Sequence, residues 1–407
     1  MVFQKVFKCI LIPNIMVKKG DATKVTFGGW YQRTTLHLTE VYDFLKNGRT
    51  RLSLSKSRLE RYYNRLRLKS VSRELGKFEY VKAETRDGIL IRYYEDGLYV
   101  LEIESEQIDK AGKKLREYFE KIWRPAVEYI FSLGSPTPKL LSNIKDEHPI
   151  VISKIDRDHS SFNPSGKFGK VYSETHFRNI SVYKTEDYIF IIASPSQKDG
   201  IHLLVEMQIF FREFKDQLHK YLNIHRDIWE QIAVIKEMHY IKGREVGEYK
   251  SMLEKYKKTI DLIQNRINQM KTYAGTRASI SKELNVEKPL VVLFKYRFED
   301  LFNTLDYIKE IWGMTVNYTN NAIRVLSEVD AKASMSGIRS IQILASIGVV
   351  TGVLGYLARE SLPKISVIGA GYLIGLGVIA LIVDWILRRS AKNKKYELKF
   401  IERYKKI

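Results

Sequence analysis

Two long uncharged runs near the carboxyl end constrain the fold of this 407-residue chain more than any other feature. Residues 340–358 and 365–383 are each 19 consecutive residues without a charge, and six residues separate the two runs. As helices, each would be about 28 Å long, close to the ~30 Å hydrocarbon core of a bilayer. A pair of buried core helices is the alternative interpretation. The pattern favours a two-helix transmembrane hairpin over residues 340–389 at the carboxyl end.

Basic residues after the second run predict the orientation of this hairpin. Residues 388–407 contain nine Lys or Arg and two Glu, so the basic tail at 390–407 is expected on the cytoplasmic side. The amino-terminal part is then cytoplasmic as well. We therefore predict a multi-pass protein of the cell (inner or plasma) membrane, with both termini in the cytoplasm. The single cysteine, Cys9, excludes an intrachain disulfide framework.

Residues 1–198 have the patterns of a mixed α/β domain, which makes the predicted cytosolic part α+β. Alternating β-branched and aromatic residues predict strands at 78–84, 88–94, 97–103, 149–155, 168–174, 179–185 and 187–193. Helical periodicity predicts helices at 56–74 and 105–132. The segments 86–88 and 95–97, both Asp-Gly turns, are typical of hairpins. The first 17 residues are interpreted as a strand rather than a signal peptide.

Apolar residues at alternating spacings of three and four predict long, coiled-coil-like helices after residue 198. One seam runs from Leu204 to Ile235 and a second from Val246 to Met270, which predicts a helical hairpin over 199–288. A third predicts a stalk helix over 289–339 that continues into the first uncharged run. Near that run the seam becomes small and hydroxylic, which favours either a pore-facing stripe or tight packing. The residues of this stripe are Thr315, Thr319, Ala322, Leu326, Gly348 and Gly355.

This layout resembles the CorA family of two-transmembrane metal-ion transporters. The segment Ile-Gln-Ile-Leu-Ala-Ser-Ile at 341–347 is similar to the start of the family's first span, and Thr-Asn-Asn-Ala-Ile-Arg-Val-Leu at 319–326 is similar to the foot of its stalk. The resemblance implies a homo-pentamer among membrane lipids that acts as a channel or transporter for divalent metal ions, gated by its cytosolic domain. It also implies an external loop containing Arg359, Glu360 and Lys364.

The family's Gly-Met-Asn signature is absent from this chain. Depending on the alignment, its place is taken by Gly355-Tyr356-Leu357 or by Arg359-Glu360-Ser361. Selecting a hydrated Mg²⁺ needs a ring of oxygen acceptors, and neither triplet supplies an amide side chain. Magnesium uptake is therefore not expected even if the fold is CorA-like.

A basic stretch at 49–73 is the second candidate for function, because the net charge of +21 calls for a partner or a location. It has nine Lys or Arg and one acid, Glu60. On a helix, one face would hold Arg58, Arg61, Arg65 and Lys69, a clamp for phosphate groups. A solvated face is the alternative. No stable nucleic-acid partner is expected.

This stretch supports a second hypothesis, in which the chain is a ligand-gated membrane effector of a nucleotide second-messenger pathway. CorA-like proteins associated with CRISPR defence that lack the signature are the model for it. A non-conducting membrane-tethered scaffold is a third hypothesis.

No catalytic motif stands out in the sequence, and we expect no enzyme. Walker loops, nucleophile elbows and paired carboxylates are absent. The triplet His225-Arg226-Asp227 is similar to a kinase motif, but its histidine occupies the apolar seam. Acids of the stalk, with Glu328 and Asp330 as candidates, could bind divalent ions between subunits. No permanent cofactor is predicted, and a regulatory Mg²⁺ or a nucleotide are the ligands considered.

Overall fold

The computed structural model describes most of the chain up to Leu357 and scattered residues beyond it. The described residues are 23–31, 37–76, 78–132, 148–160, 162–164, 166–197, 200–357, 375, 378, 381, 382, 385, 386, 389, 390 and 393–398. Cys9, the strand predicted in the first 17 residues, and the loop residues Arg359, Glu360 and Lys364 lie outside them.

These residues divide into two compact units. The first holds the described residues up to Ser132 together with 148–214 and 273–298, and the second holds 215–272 and the described residues from Glu299 onward. The five segments predicted from the sequence stay a prediction.

A nine-stranded sheet forms the first unit, in the order β2-β3-β4-β5-β1-β6-β9-β8-β7. Only β6 and β9 pair in parallel, and the other neighbours are antiparallel. The strands are β1 (Lys24–Trp30), β2 (Leu68–Glu74), β3 (Tyr80–Thr85), β4 (Leu90–Tyr94), β5 (Leu98–Glu104), β6 (Ile150–Ile155), β7 (Ser173–Phe177), β8 (Ile180–Lys184) and β9 (Tyr188–Ala193). The two Asp-Gly hairpin turns are confirmed, with Gly88 and Gly97 at positive φ.

Four helices contribute to the core of this unit: α1 (Leu38–Asn47), α2 (Lys56–Leu66), α3 (Ile108–Tyr118) and α4 (Arg124–Phe131). A single π-helical turn, Phe119–Trp123, joins α3 to α4. Large side chains such as Phe44, Trp123 and Phe190 are fully buried in the core cluster. Gly112 allows α3 to lie close to strand β6, since a Cβ at this position would come within 2.5 Å of the Ile150 side chain.

Two predicted boundaries in this unit are wrong. The helix predicted at 56–74 ends at Leu66, because Arg67 takes the left-handed conformation (φ 50°) and the chain continues as β2. The strand predicted at 168–174 begins only at Ser173, since residues Gly166–Phe168 form a 3₁₀ turn.

Three long helices follow the sheet: α5 (Ile201–Glu237), α6 (Gly243–Glu283) and α7 (Phe298–Leu357). The apolar seam predicted for α5 is buried from Leu204 to Ile235 apart from His225, which confirms the long helix. Helix α7 starts at Phe298 rather than at Leu290, because a short helical segment, Glu287–Phe294, ends at Lys295 with a positive φ. The coiled-coil description therefore fits only in part.

A small two-stranded sheet lies in the second unit. Strand β10 (Tyr240–Lys242) connects α5 to α6, and it pairs antiparallel with β11 (Lys395–Glu397). The backbone N–H of Leu398 donates to the carbonyl of His239, and that of Gly243 donates to the carbonyl of Lys394. The segment near the carboxyl end is thus fixed to the connection between α5 and α6.

The transmembrane hairpin predicted at 340–389 is wrong for the part of the chain that the structure describes. No helix among the described residues is long and apolar enough to cross a membrane. A helix that spans the ~30 Å hydrocarbon core needs about 20 predominantly apolar residues. The fold class is corrected accordingly: the α+β class and the long helices are kept, without a membrane hairpin. The predictions of a multi-pass membrane location and of ion transport are withdrawn with it.

A buried ion pair joins the end of α6 to the β4–β5 turn within the first unit. Arg277 donates from Nε to Asp96 Oδ2 at 2.7 Å and from Nη2 to Oδ1 at 3.0 Å, and both side chains are almost fully buried. The guanidinium lies over the rings of Phe78, Tyr94 and Phe210. Asp96 also accepts from the N–H of Leu98 through its carboxylate.

We expect Asp96→Ala to lower the free energy of unfolding by about 3–5 kcal/mol, because it leaves the Arg277 charge buried without a partner. Combining it with Arg277→Met should recover part of that loss. Chemical denaturation checks this, with Glu84→Ala at the exposed Lys69–Glu84 pair as the control, expected to cost no more than about 1 kcal/mol. A double variant less stable than Asp96→Ala alone would contradict the interpretation.

A second buried cluster links β1, β4, β5 and α5. Arg92 donates to Glu102 at 3.0 Å and to Glu206 at 2.8 Å, and Lys24 donates to Glu102 at 3.2 Å. Burial alone would raise the pKa of Glu102, but the charges of Arg92 and then Lys24 lower it below the usual glutamate value.

A lowered carboxyl pKa stabilises the fold above the unfolded pKa, about 4.3, and this contribution is lost as pH falls through the folded value. We expect Glu102→Gln to reduce stability at neutral pH by about 1–3 kcal/mol and to flatten the loss of stability on acidification. Denaturant midpoints at neutral and acidic pH test this, with exposed Glu106→Gln as the control. An unchanged pH slope in Glu102→Gln would be the contrary result.

Candidate functional site

The basic residues predicted to form one helical face are divided between two elements. Arg58, Arg61 and Arg65 lie on α2 and are exposed, whereas Lys69 lies on β2 beyond the end of the helix. The Nζ of Lys69 is 3.3 Å from Glu84 Oε1, on the neighbouring strand. The predicted single helix face with four cations is therefore wrong, because Lys69 lies outside α2.

Arg65 extends from α2 to the π turn after α3. Its Nη2 donates to the backbone carbonyl of Lys121 at 2.9 Å. This hydrogen bond connects α2 to the π turn. One turn from there, the Tyr118 hydroxyl donates to the carbonyl of Leu66, the last residue of α2. The end of α2 is thereby fixed against α3.

A cleft of about 400 Å³ opens between α3, the π turn and the β3–β4 turn. Its lining residues are Asp87, Ile89, Lys110, Lys113, Lys114, Glu117, Tyr118, Lys121 and Ile122. The lysines recur at helical spacing on the exposed side of α3, because Ala111, Gly112, Leu115 and Tyr118 occupy the buried side. A cleft of this size is in the range of small-molecule sites.

Positive charge dominates this lysine cleft. Four lysines line it, and Arg65 and Arg67 stand at its edge, against the two acids Asp87 and Glu117. Both acids already have cationic neighbours: Arg67 lies 3.4 Å from Asp87, and Lys121 lies 3.6 Å from Glu117. Lys114 donates to the backbone carbonyl of Asp87 at 2.8 Å. Four positive charges remain to be balanced, which suits a polyanion.

The floor of the cleft is apolar. Ile122 is half-buried there, whereas Ile89 and Tyr118 are almost fully buried. The nine lining residues include no Ser, Cys or His that could act as nucleophile or general base. The arrangement can bind and orient an anion.

The lysines of α3 were not predicted as site residues from the sequence. Their spacing was visible in the helix predicted at 105–132, where Lys110, Lys113, Lys114 and Lys121 follow helical intervals. The sequence does not predict that α3 contacts α2 and the β3–β4 turn. These contacts make the basic face of α3 one side of a cleft.

The predicted pore-lining residues Thr315, Thr319, Ala322 and Leu326 are fully buried within the single chain. The hydroxyl of Thr315 donates to the carbonyl of Ile311, and that of Thr319 donates to the carbonyl of Thr315. Gly348 is exposed, and Gly355 lies in the last turn of α7. The first four residues thus occupy a packed seam, and their role in lining a pore stays a prediction.

The metal candidates on the stalk do not form a site together. Glu328 is exposed, and Asp330 lies 3.5 Å from Lys250 Nζ. Within the described ranges, no group of three or more His, Cys, Asp or Glu side chains could hold a metal ion. A divalent ion between subunits stays a prediction.

His225 lies against two tryptophans in the second unit. Its ring stacks on Trp229 and meets Trp312 edge-on. Burial lowers the pKa of His225, and a hydrogen bond with the backbone of Ile311 only partly offsets this. These contacts describe a histidine packed in the helical seam, as the sequence indicated.

A hydrogen-bonded chain on β7 and β8 has the composition of a hydrolase triad. Ser181 Oγ lies 2.8 Å from His176 Nδ1, and His176 Nε2 lies 2.9 Å from Glu174 Oε1. His159 Nδ1 approaches the same hydroxyl at 3.2 Å. If Glu174 is ionised and His176 neutral, Ser181 donates to His176 and accepts from His159. Ser181 is 0% exposed, so we interpret the chain as a cross-strand polar cluster rather than a nucleophilic centre.

Ser181→Ala should lower the free energy of unfolding by about 1–3 kcal/mol, because it removes the shared partner of two imidazole nitrogens. Ser70→Ala, at an exposed position of β2, is the matched control and should have little effect. Denaturant unfolding measures both. Labelling of Ser181 by a serine-reactive fluorophosphonate in the folded protein would refute the structural interpretation.

Comparison of the chain with protein-family models, with curated proteins and with solved structures finds no match. The resemblance to the CorA family therefore stays an expectation from the sequence.

Proposed function

We propose that this protein binds a small phosphorylated anion in the lysine cleft beside α3. The observation that carries the proposal is a cleft of about 400 Å³ lined by four lysines and only two acids, with Arg65 and Arg67 in contact with the lining residues Lys121 and Asp87. Charge of one sign concentrated in a concave site attracts anions of the opposite sign.

Phosphate is the anion that this donor set suits best. Each ammonium group offers three donors on a flexible stem, and lysine is a common point-charge ligand for phosphate. Arg65 and Arg67 add planar donors at the edge of the cleft, although each already has a partner on the protein. A monocarboxylate would balance only one of the four remaining charges. A ligand with several phosphate charges therefore uses the site more fully.

The proposal keeps one part of the sequence-based hypotheses, the binding of a small anionic ligand. It relocates the contact from the α2 face to the α3 cleft, and it does not include a membrane function. The homo-oligomer and the absence of enzymatic activity stay predictions.

The charge of Lys110 and Lys113 should decide affinity. Neither side chain is needed to hold Asp87 or Lys121 in place, so Lys110→Gln with Lys113→Gln removes two charges without disturbing the contacts that shape the cleft. We expect this double variant to bind tripolyphosphate about 10–100 times more weakly, or about 1.4–2.8 kcal/mol. Isothermal titration calorimetry at low and physiological salt measures the change, and wild-type affinity should fall as salt rises.

Arg58→Gln with Arg61→Gln is the matched control, because it removes the same charge from the exposed face of α2 outside the cleft. We expect it to lower affinity less than threefold. A larger loss in this control than in the lysine variant would move the site to α2. No measurable tripolyphosphate binding by the wild type at low salt would refute the proposed function.

A further inference from the structure

The lysine cleft has two zones of different chemistry, and together they specify a ligand class more closely than charge alone. The rim is cationic, through Lys110, Lys113, Lys114 and Lys121. The floor is apolar, mainly through the half-buried side chain of Ile122, because Ile89 and Tyr118 are only 1% and 6% exposed. A ligand that fills both zones needs a charged end and an end that can give up water.

We infer that the ligand is a nucleoside polyphosphate, with its phosphates among the lysines and its base and sugar against the apolar floor. This inference rests on the proposed function, because it concerns the same cleft. Inorganic polyphosphate offers no apolar surface to Ile122. A base that covers Ile122 removes apolar surface from water, so it gains binding energy that a bare phosphate chain lacks.

The two acids of the cleft, Asp87 and Glu117, also favour a nucleotide over a bare polyphosphate. Asp87 and Glu117 repel any phosphate placed beside them, so a ligand made only of phosphates meets a penalty at these positions. A nucleoside carries hydroxyl and amino donors, and a carboxylate is a good acceptor for such donors. Acids within a lysine-rich cleft therefore select against bare polyanions and in favour of ligands with donors.

The distribution of the lysines also argues for more than one phosphate. Lys110 and Lys121 lie 11 residues apart, which is about 16 Å along the helix axis. One phosphate cannot approach both ends of this row. A chain of two or three phosphates, followed by a nucleoside, can contact several of the four lysines and still place a base on the floor.

The test compares ligands that differ in one zone at a time. Calorimetry with the full chain would use the four common ribonucleoside triphosphates, tripolyphosphate and inositol trisphosphate. Inositol trisphosphate has phosphates and hydroxyl donors but no planar base. We expect at least one nucleoside triphosphate to bind ten or more times tighter than both other probes.

Two substitutions test the zones separately. Glu117→Gln should weaken nucleotide binding or leave it unchanged while it strengthens tripolyphosphate binding, because it removes repulsion and keeps a hydrogen-bond acceptor. Ile122→Ser, at a half-buried position, should remove most of the preference for nucleotide and leave tripolyphosphate binding within threefold. Circular dichroism confirms that both variants are folded.

The outcomes separate the inference from the proposed function. If tripolyphosphate or inositol trisphosphate binds as tightly as every nucleotide, the inference fails and the anion site stands. If none of the probes binds, both fail. If Ile122→Ser weakens all the probes equally, the floor does not select the base and the inference is overturned.

Discussion

The pairing of Arg277 with Asp96 is the interaction on which the first unit depends most. It is the point where a helix that begins far along the chain is fixed to a turn of the sheet, and both charges have left water to form it. Such a pair contributes little over an apolar alternative, but it tolerates no partial change, because either charge alone is costly. The aromatic rings around Arg277 and the bond from Leu98 to Asp96 fix the geometry further. The turn after β4 is therefore held in one conformation.

The elements around the cleft are held together by side chains that donate hydrogen bonds to backbone carbonyls. The carbonyl of Lys121, in the π turn, accepts a hydrogen bond from Arg65. The carbonyl of Leu66, at the end of α2, is satisfied by Tyr118. The first contact joins α2 to the π turn, and the second joins α2 to α3. At Gly112, α3 also lies close to β6. These hydrogen bonds hold α2 beside the cleft, and the lysines occupy the exposed side of α3.

Much of the fold follows from sequence patterns, and most of the site does not. The long helices and the Asp-Gly hairpins were predictable, because period and turn chemistry are local properties. The end of α2 at Leu66 was not predicted, because Arg67 adopts a positive φ and the residue type Arg does not indicate this conformation. The uncharged runs after residue 340 predicted a membrane hairpin from hydropathy alone, and the helices that the structure describes do not supply one. The cleft needs the contact of α2 with α3, which spans some 56 positions of sequence and leaves no periodic signal.

The pairing of β10 with β11 has a consequence for how the chain matures. Lys242 is made long before Lys395, and residues 243–394 must be synthesised before the two strands can meet. Closing so long a loop costs entropy that grows only with the logarithm of its length, so the pairing is affordable but late. Contacts between distant residues also slow folding. During translation, the backbone donors and acceptors of Tyr240–Lys242, in the connection between α5 and α6, therefore stay unpaired with β11 until Lys395–Glu397 has been synthesised.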